Sequence, residues 1–117
     1  MVTLPYPFFM SKTQKNLEWL VLIYDNAVNQ RLAFRAQHLA KVPANISSGV
    51  VTSCGPIFKD ETKKEFLGSS FTVVAETRSQ VIDFLKKDIY LTEKVWDFDN
   101  IVIHPYMPVY REGKEFK

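Results

Sequence analysis

Residues 18–24, EWLVLIY, and residues 30–41, QRLAFRAQHLAK, separated by a short polar gap, decide the fold. The first run is apolar and aromatic, with β-branched Val21 and Ile23, and Asp25-Asn26 closes it. That pattern reads as a buried strand. The second run has Asn29 in capping position and Pro43 just beyond its end, which brackets a helix. Leu32, Ala36 and Leu39 recur at spacings of four and three, so this stripe is expected to pack on a sheet.

Working outward, Asn45 to Gly49 is turn chemistry, and GVVTSCGPIF from Gly49 reads as a second strand interrupted by Gly55-Pro56. KDETKKEFLGS is a polar connection, with Lys63-Lys64 at a solvated hairpin tip. SFTVVAE from Ser70 is a third strand, rich in β-branched residues. Thr77 and Gln80 form a capping box ahead of RSQVIDFLKKD, a helix burying Val81, Phe84 and Leu85 or Ile82. Ile89 to Val95 is a short turn or helical linker. The last strand centres on Ile101 to His104, and Pro105 and Pro108 suit a sheet edge. The order is β-α-β-β-α-β, the ferredoxin-like α+β arrangement with both helices on one sheet face. The chain holds no element to cover the other face, so a homodimer through that face is expected.

The 117 residues make one domain, divided as an N-terminal extension (1–16), a folded domain (17–109) and a polar C-terminal tail (110–117). Fifteen Lys+Arg against thirteen Asp+Glu leave a net charge of +2, which argues against a nucleic-acid partner. No apolar run approaches the roughly 20 residues of a membrane helix. Cys54 is the one cysteine, which excludes an internal disulfide and a multi-cysteine zinc site. A lone thiol suits a reducing compartment, the cytoplasm or alternatively the mitochondrial matrix. Lys12 and Lys15 follow the apolar start instead of preceding it, unlike a secretory signal.

Candidate chemistry gathers on the first helix, where Arg31, Arg35 and His38 share one stripe. The bland alternative is a solvated basic face. Asp88 ends the second helix, where the macrodipole disfavours an acid, so a partner or a task is expected for it. Both helices lie on the same face, so His38 and Asp88 could meet. A carboxylate would then fix the histidine tautomer for general acid/base work. Cys54 is expected to be a buried, inert thiol, His104 a locally satisfied strand histidine, and Trp19 and Trp96 core residues. Gly55 reads as backbone permissiveness near the site.

RLAFRAQHLA (31–40), KKDIY and VWDFDNIVIHPY (within 86–106), with Gly55-Pro56, resemble the YciI-like, or YCII-related, domain family. Ile89 followed by VWD resembles its eukaryotic, fungal-type branch. The resemblance implies a dimeric α+β barrel with a histidine–aspartate pair in a cleft, carried over to His38 and Asp88. It places Arg35, Tyr90 and Gly55 on the substrate side. It also implies a cofactor-free acid/base enzyme of isomerase, lyase or dehydrochlorinase type. The substrate would be a small anionic metabolite, of the kind arising in aromatic degradation. No metal or cofactor is expected. The alternative is a non-catalytic dimeric module that binds a small molecule or another protein.

Overall fold

The computed structural model describes residues 17–113; the expected 1–16 extension and the last residues of the polar tail lie outside them. Strand β1 (Leu17–Tyr24) alternates strictly, with Trp19, Val21 and Ile23 buried on one side. It lies inside a four-stranded antiparallel sheet of order β2-β3-β1-β4, where β2 is Val51–Phe58, β3 is Phe66–Ala75 and β4 is Val102–Tyr106. That order is the ferredoxin-like one. β4 is an edge strand, which tolerates Pro105.

β3 begins earlier than the sequence pattern suggests, because Phe66 to Ser69 already pair with β1 and β2. The reason is a tight tip: Asp60 Oδ1 accepts from the Thr62 backbone N–H at 2.9 Å, and Lys63 takes a positive φ of 57°. Gly68 is required for close approach, since a Cβ there would lie 2.2 Å from the Ile23 carbonyl oxygen.

Helix α1 (Arg31–Ala40) forms as expected but turns its apolar stripe away from the core. Leu32 is 73% exposed, Leu39 43%, and Ala36 is exposed too, whereas Arg31 is only 6% exposed. The rotation has a physical cause. Asp25, just after β1, draws the Arg31 guanidinium inward through contacts of 2.8 Å to both carboxylate oxygens. The helix therefore buries Arg31 and turns Phe34 and His38 inward, forgoing the roughly 1.5–3 kcal/mol that full burial of Leu32 would contribute. Pro43 does not end the helical region; it sits in the first turn of a second helix, α2 (Val42–Ser47), where a missing N–H costs nothing. The expected turn at 45–49 is thus mostly helix.

Helix α3 (Arg78–Lys86) follows its pattern, with Val81 and Leu85 fully buried and Phe84 and Ile82 packed partly against them. Thr77 Oγ1 accepts from the Gln80 N–H at 3.2 Å, while Gln80 Oε1 reaches back to the Glu76 N–H at 2.7 Å. A short helix, α4 (Ile89–Thr92), and a 3-10 turn (Phe98–Asn100) lead to β4. Trp96, Tyr90, Val95 and the inward residues of β1 and β3 complete the core. The indole of Trp19 donates to the Ala75 carbonyl at 3.0 Å, so both tryptophans are core residues. On the other sheet face, Glu18, Thr52, Ser53 and Thr72 form a polar hydrogen-bonded row, and Arg111 of the tail pairs with Glu18. Half-buried Leu20 and Leu22 flank that row.

Candidate functional site

His38 occupies the last turn of α1, where a cation complements the helix dipole. Asp88 stands between α3 and α4. It does not defy the dipole at the end of α3, as the sequence pattern suggests; it caps the N-terminus of α4, accepting from the Tyr90 N–H at 2.9 Å. The same carboxylate meets His38 Nδ1 at 2.8 and 2.9 Å. The cap fixes Asp88, and Asp88 holds the imidazole. An ionised Asp88 can only accept, so its bond to the ring is donated by Nδ1–H, and in the neutral imidazole that leaves Nε2 as the acceptor.

The imidazole is also held on its face and edge. Tyr90 stacks on it with centroids 4.0 Å apart and planes 8° off parallel, and Trp96 meets it edge-on at 5.9 Å. His38 and Asp88 keep side-chain exposures of 11% and 16%, so the pair is sheltered but reachable. They open to a narrow crevice with walls from Val42 and Asn45 of α2, Cys54 of β2 and Phe71 of β3. Its free volume is about 10 Å³, room for about one water.

The remaining sequence candidates divide. Tyr90 is buried against His38, and burial pushes its phenol up from the usual range, with Arg31 and Arg35 opposing. Arg35 is exposed, close enough for its charge to act on Tyr90. Gly55 does not wall the crevice; its neighbour Cys54 does, and a side chain at Gly55 would meet open space. Cys54 is exposed, not buried as expected, because β2 is an edge strand. Partial burial still pushes its thiol above the usual range. The His104 side chain is exposed on β4 and, against expectation, makes no local hydrogen bond among the described residues.

Sequence reasoning missed Arg31 as a buried group. Besides Asp25, its guanidinium donates to Ser69 Oγ at 3.1 Å, and Ser69 also accepts from the Trp96 indole at 3.1 Å. The missed signal was Asp25 at the strand end, six residues before an arginine at the helix start. Beside this pair lies a cavity of about 490 Å³, bordered by Phe66 and the exposed Lys59–Glu65 ion pair. Among the described residues no group of His, Cys, Asp and Glu is arranged to hold a metal ion. No helix among them is long and apolar enough to cross a membrane.

The pattern of the YCII-related domain matches residues 17–101, which include every group just described around His38. The chain belongs to the YCII-related domain family. A curated relative, aspercryptin biosynthesis cluster protein B of Emericella nidulans, is 34% identical over 97 residues. The alignment covers 77% of this chain and 62% of that protein, so the chain spans under two thirds of the relative's length. That relative is fungal, in keeping with Ile89 and VWD. Among solved structures, a 5-chloro-2-hydroxyhydroquinone dehydrochlorinase from Burkholderia phenoliruptrix AC1100, in complex with 2,5-dihydroxybenzoquinone, superposes with a TM-score of 0.66. It covers 78% of this chain and 94% of its own at 19% identity, which establishes the shared α+β fold.

Proposed function

We propose that this YCII-related protein is a cofactor-free acid/base enzyme of isomerase, lyase or dehydrochlorinase type, with His38 and Asp88 as its catalytic pair. The observation that carries this reading is the doubly held imidazole. Asp88 engages Nδ1 and Tyr90 stacks on the ring face, and both His38 and Asp88 line the crevice. In that tautomer Nε2 accepts a proton from a hydroxyl or an acidic carbon. In an isomerisation the electron pair released shifts a double bond and His38 returns the proton to another carbon. In a dehydrochlorination chloride leaves with the pair of the C–Cl bond and His38 passes the proton to solvent, so that HCl is lost overall. Positioned proton transfer of this kind contributes about 10²–10⁴-fold. Asp88 balances the imidazolium formed on the way. Arg35, exposed and close enough for its charge to act on Tyr90, would meet a small anionic substrate.

The dehydrochlorinase with the same fold supplies the substrate class to test, chlorinated and hydroxylated hydroquinones. Entry requires α2 to shift outward, which costs little burial because that helix carries no buried residue. A homodimer through the open sheet face would cover Leu20 and Leu22. Light scattering at two concentrations checks this, and a concentration-independent monomer would contradict it.

The test is chloride release from 5-chloro-2-hydroxyhydroquinone and a panel of hydroxylated ring acids and lactones. Turnover should fall by at least about 10² in His38→Ala. Unchanged turnover in a folded His38→Ala protein overturns the assignment. The cavity of about 490 Å³ beside Arg31 supports a second reading, a non-catalytic module that holds a small molecule there. Ligand-induced thermal stabilisation without consumption of the compound favours that alternative.

A further inference from the structure

We infer that Arg31, clamped by Asp25, is a positioning residue that sets the orientation of His38 through the ring of Tyr90. The inference rests on the acid/base reading of His38 and deepens it. Arg31 and His38 lie seven residues apart on α1, roughly 10.5 Å along the axis. That spacing leaves room for one aromatic ring between them, and Tyr90 fills it. His38 stacks on Tyr90 at 4.0 Å, and the Arg31 guanidinium carbon lies over the same ring at 4.9 Å. With the two groups that far apart along α1, we place them on opposite faces of the ring. Beyond Arg31, the ring of Phe66 lies 4.5 Å from the guanidinium carbon. The result is a column: Phe66, Arg31, Tyr90, His38.

The column is fixed at its sides. Asp25 takes Arg31 Nη1 with both carboxylate oxygens, and Ser69 takes Nη2. Ser69 also holds Trp96, whose indole meets both Tyr90 and His38 edge-on. Stability alone does not account for this arrangement. A buried ion pair is often no better for stability than apolar residues of similar volume, and Arg31 Nε is buried here with no hydrogen-bond partner. What the arginine provides is a rigid planar cation, which stacks on an aromatic face as neither lysine nor an aliphatic side chain can. It presses Tyr90 flat onto the imidazole, so that Nδ1 stays aimed at Asp88.

Nitrogen-15 NMR of the imidazoles tests this without a substrate. The chain has two histidines, and exposed His104 serves as the internal control. Wild type should show His38 in one tautomer, protonated at Nδ1. Arg31→Met should raise the minor tautomer several-fold and leave His104 unchanged. Arg31→Lys keeps the charge facing Asp25 and guards against a folding failure of Arg31→Met. It should retain thermal stability better, yet still lose the single-tautomer pattern, because the planar face is gone. With a turned-over hydroquinone, Arg31→Lys should lower kcat more than it changes KM. A wild-type His38 tautomer pattern in a folded Arg31 variant overturns the positioning role and leaves the His38–Asp88 reading intact. Loss of that pattern, together with full turnover in His38→Ala, would instead sustain the positioning role and remove the catalytic one.

Discussion

Two acid–base pairs flank Tyr90, and they are built for different tasks. Arg31–Asp25 is sealed, with side-chain exposures of 6% on each partner, and the arginine keeps its charge at any accessible pH. His38–Asp88 is similarly short but borders a crevice, and its base can gain and lose a proton. One pair can hold; the other can react. The cavity beside Arg31 is far larger than the crevice, yet guanidinium cannot exchange a proton there. Volume alone would therefore point to the wrong end of the column.

The contrast can be broken by removing one acid from each pair. Asp25→Ala strands a buried guanidinium and should cost about 3–5 kcal/mol in urea unfolding. Asp88→Ala removes the cap of α4 and the partner of a partly exposed histidine and should cost about 0.5–2 kcal/mol, while abolishing whatever turnover is found. Equal costs would erase the distinction between a holding pair and a reacting pair. Ser69→Ala should fall between them. It leaves the Trp96 indole N–H and Arg31 Nη2 short of an acceptor, at about 1–3 kcal/mol.

Smaller effects sharpen the picture further out. Burial raises the Cys54 pKa, so the thiol stays protonated near neutrality. Its alkylation by iodoacetamide should be slow at neutral pH and climb only beyond the usual thiol range of about 8.5. Fast alkylation at neutral pH would reveal a thiolate the crevice does not favour. Smallest of all, Leu32→Ala should change stability by less than about 0.5 kcal/mol, because Leu32 faces solvent. A loss of about 2–5 kcal/mol would mean that α1 buries its leucine stripe after all.

That last prediction marks where the sequence was hardest to read. The apolar run with β-branched Val21 and Ile23, closed by Asp25-Asn26, and the Thr77–Gln80 cap made β1 and α3 legible, since each depends on neighbours in the chain. The face of α1 was not legible. Its apolar stripe pointed outward once Asp25, six residues back across a loop, captured Arg31, and an ion pair between strand end and helix start leaves no periodic trace. Asp88 was singled out for breaking a helix rule, but it obeys the rule of the next helix, a four-residue turn that the sequence left open between turn and helical linker. The residues around His38 came from motif likeness. The roles of Arg31 and Ser69 came only from the packing.

The most direct test of the account is a crystal structure of the protein soaked with 2,5-dihydroxybenzoquinone. The account predicts a ligand oxygen within about 2.6–3.2 Å of His38 Nε2, in a crevice widened by movement of Val42 and Asn45. A ligand seated instead between Phe66 and Lys59, with the crevice still closed over His38 and Asp88, would contradict it.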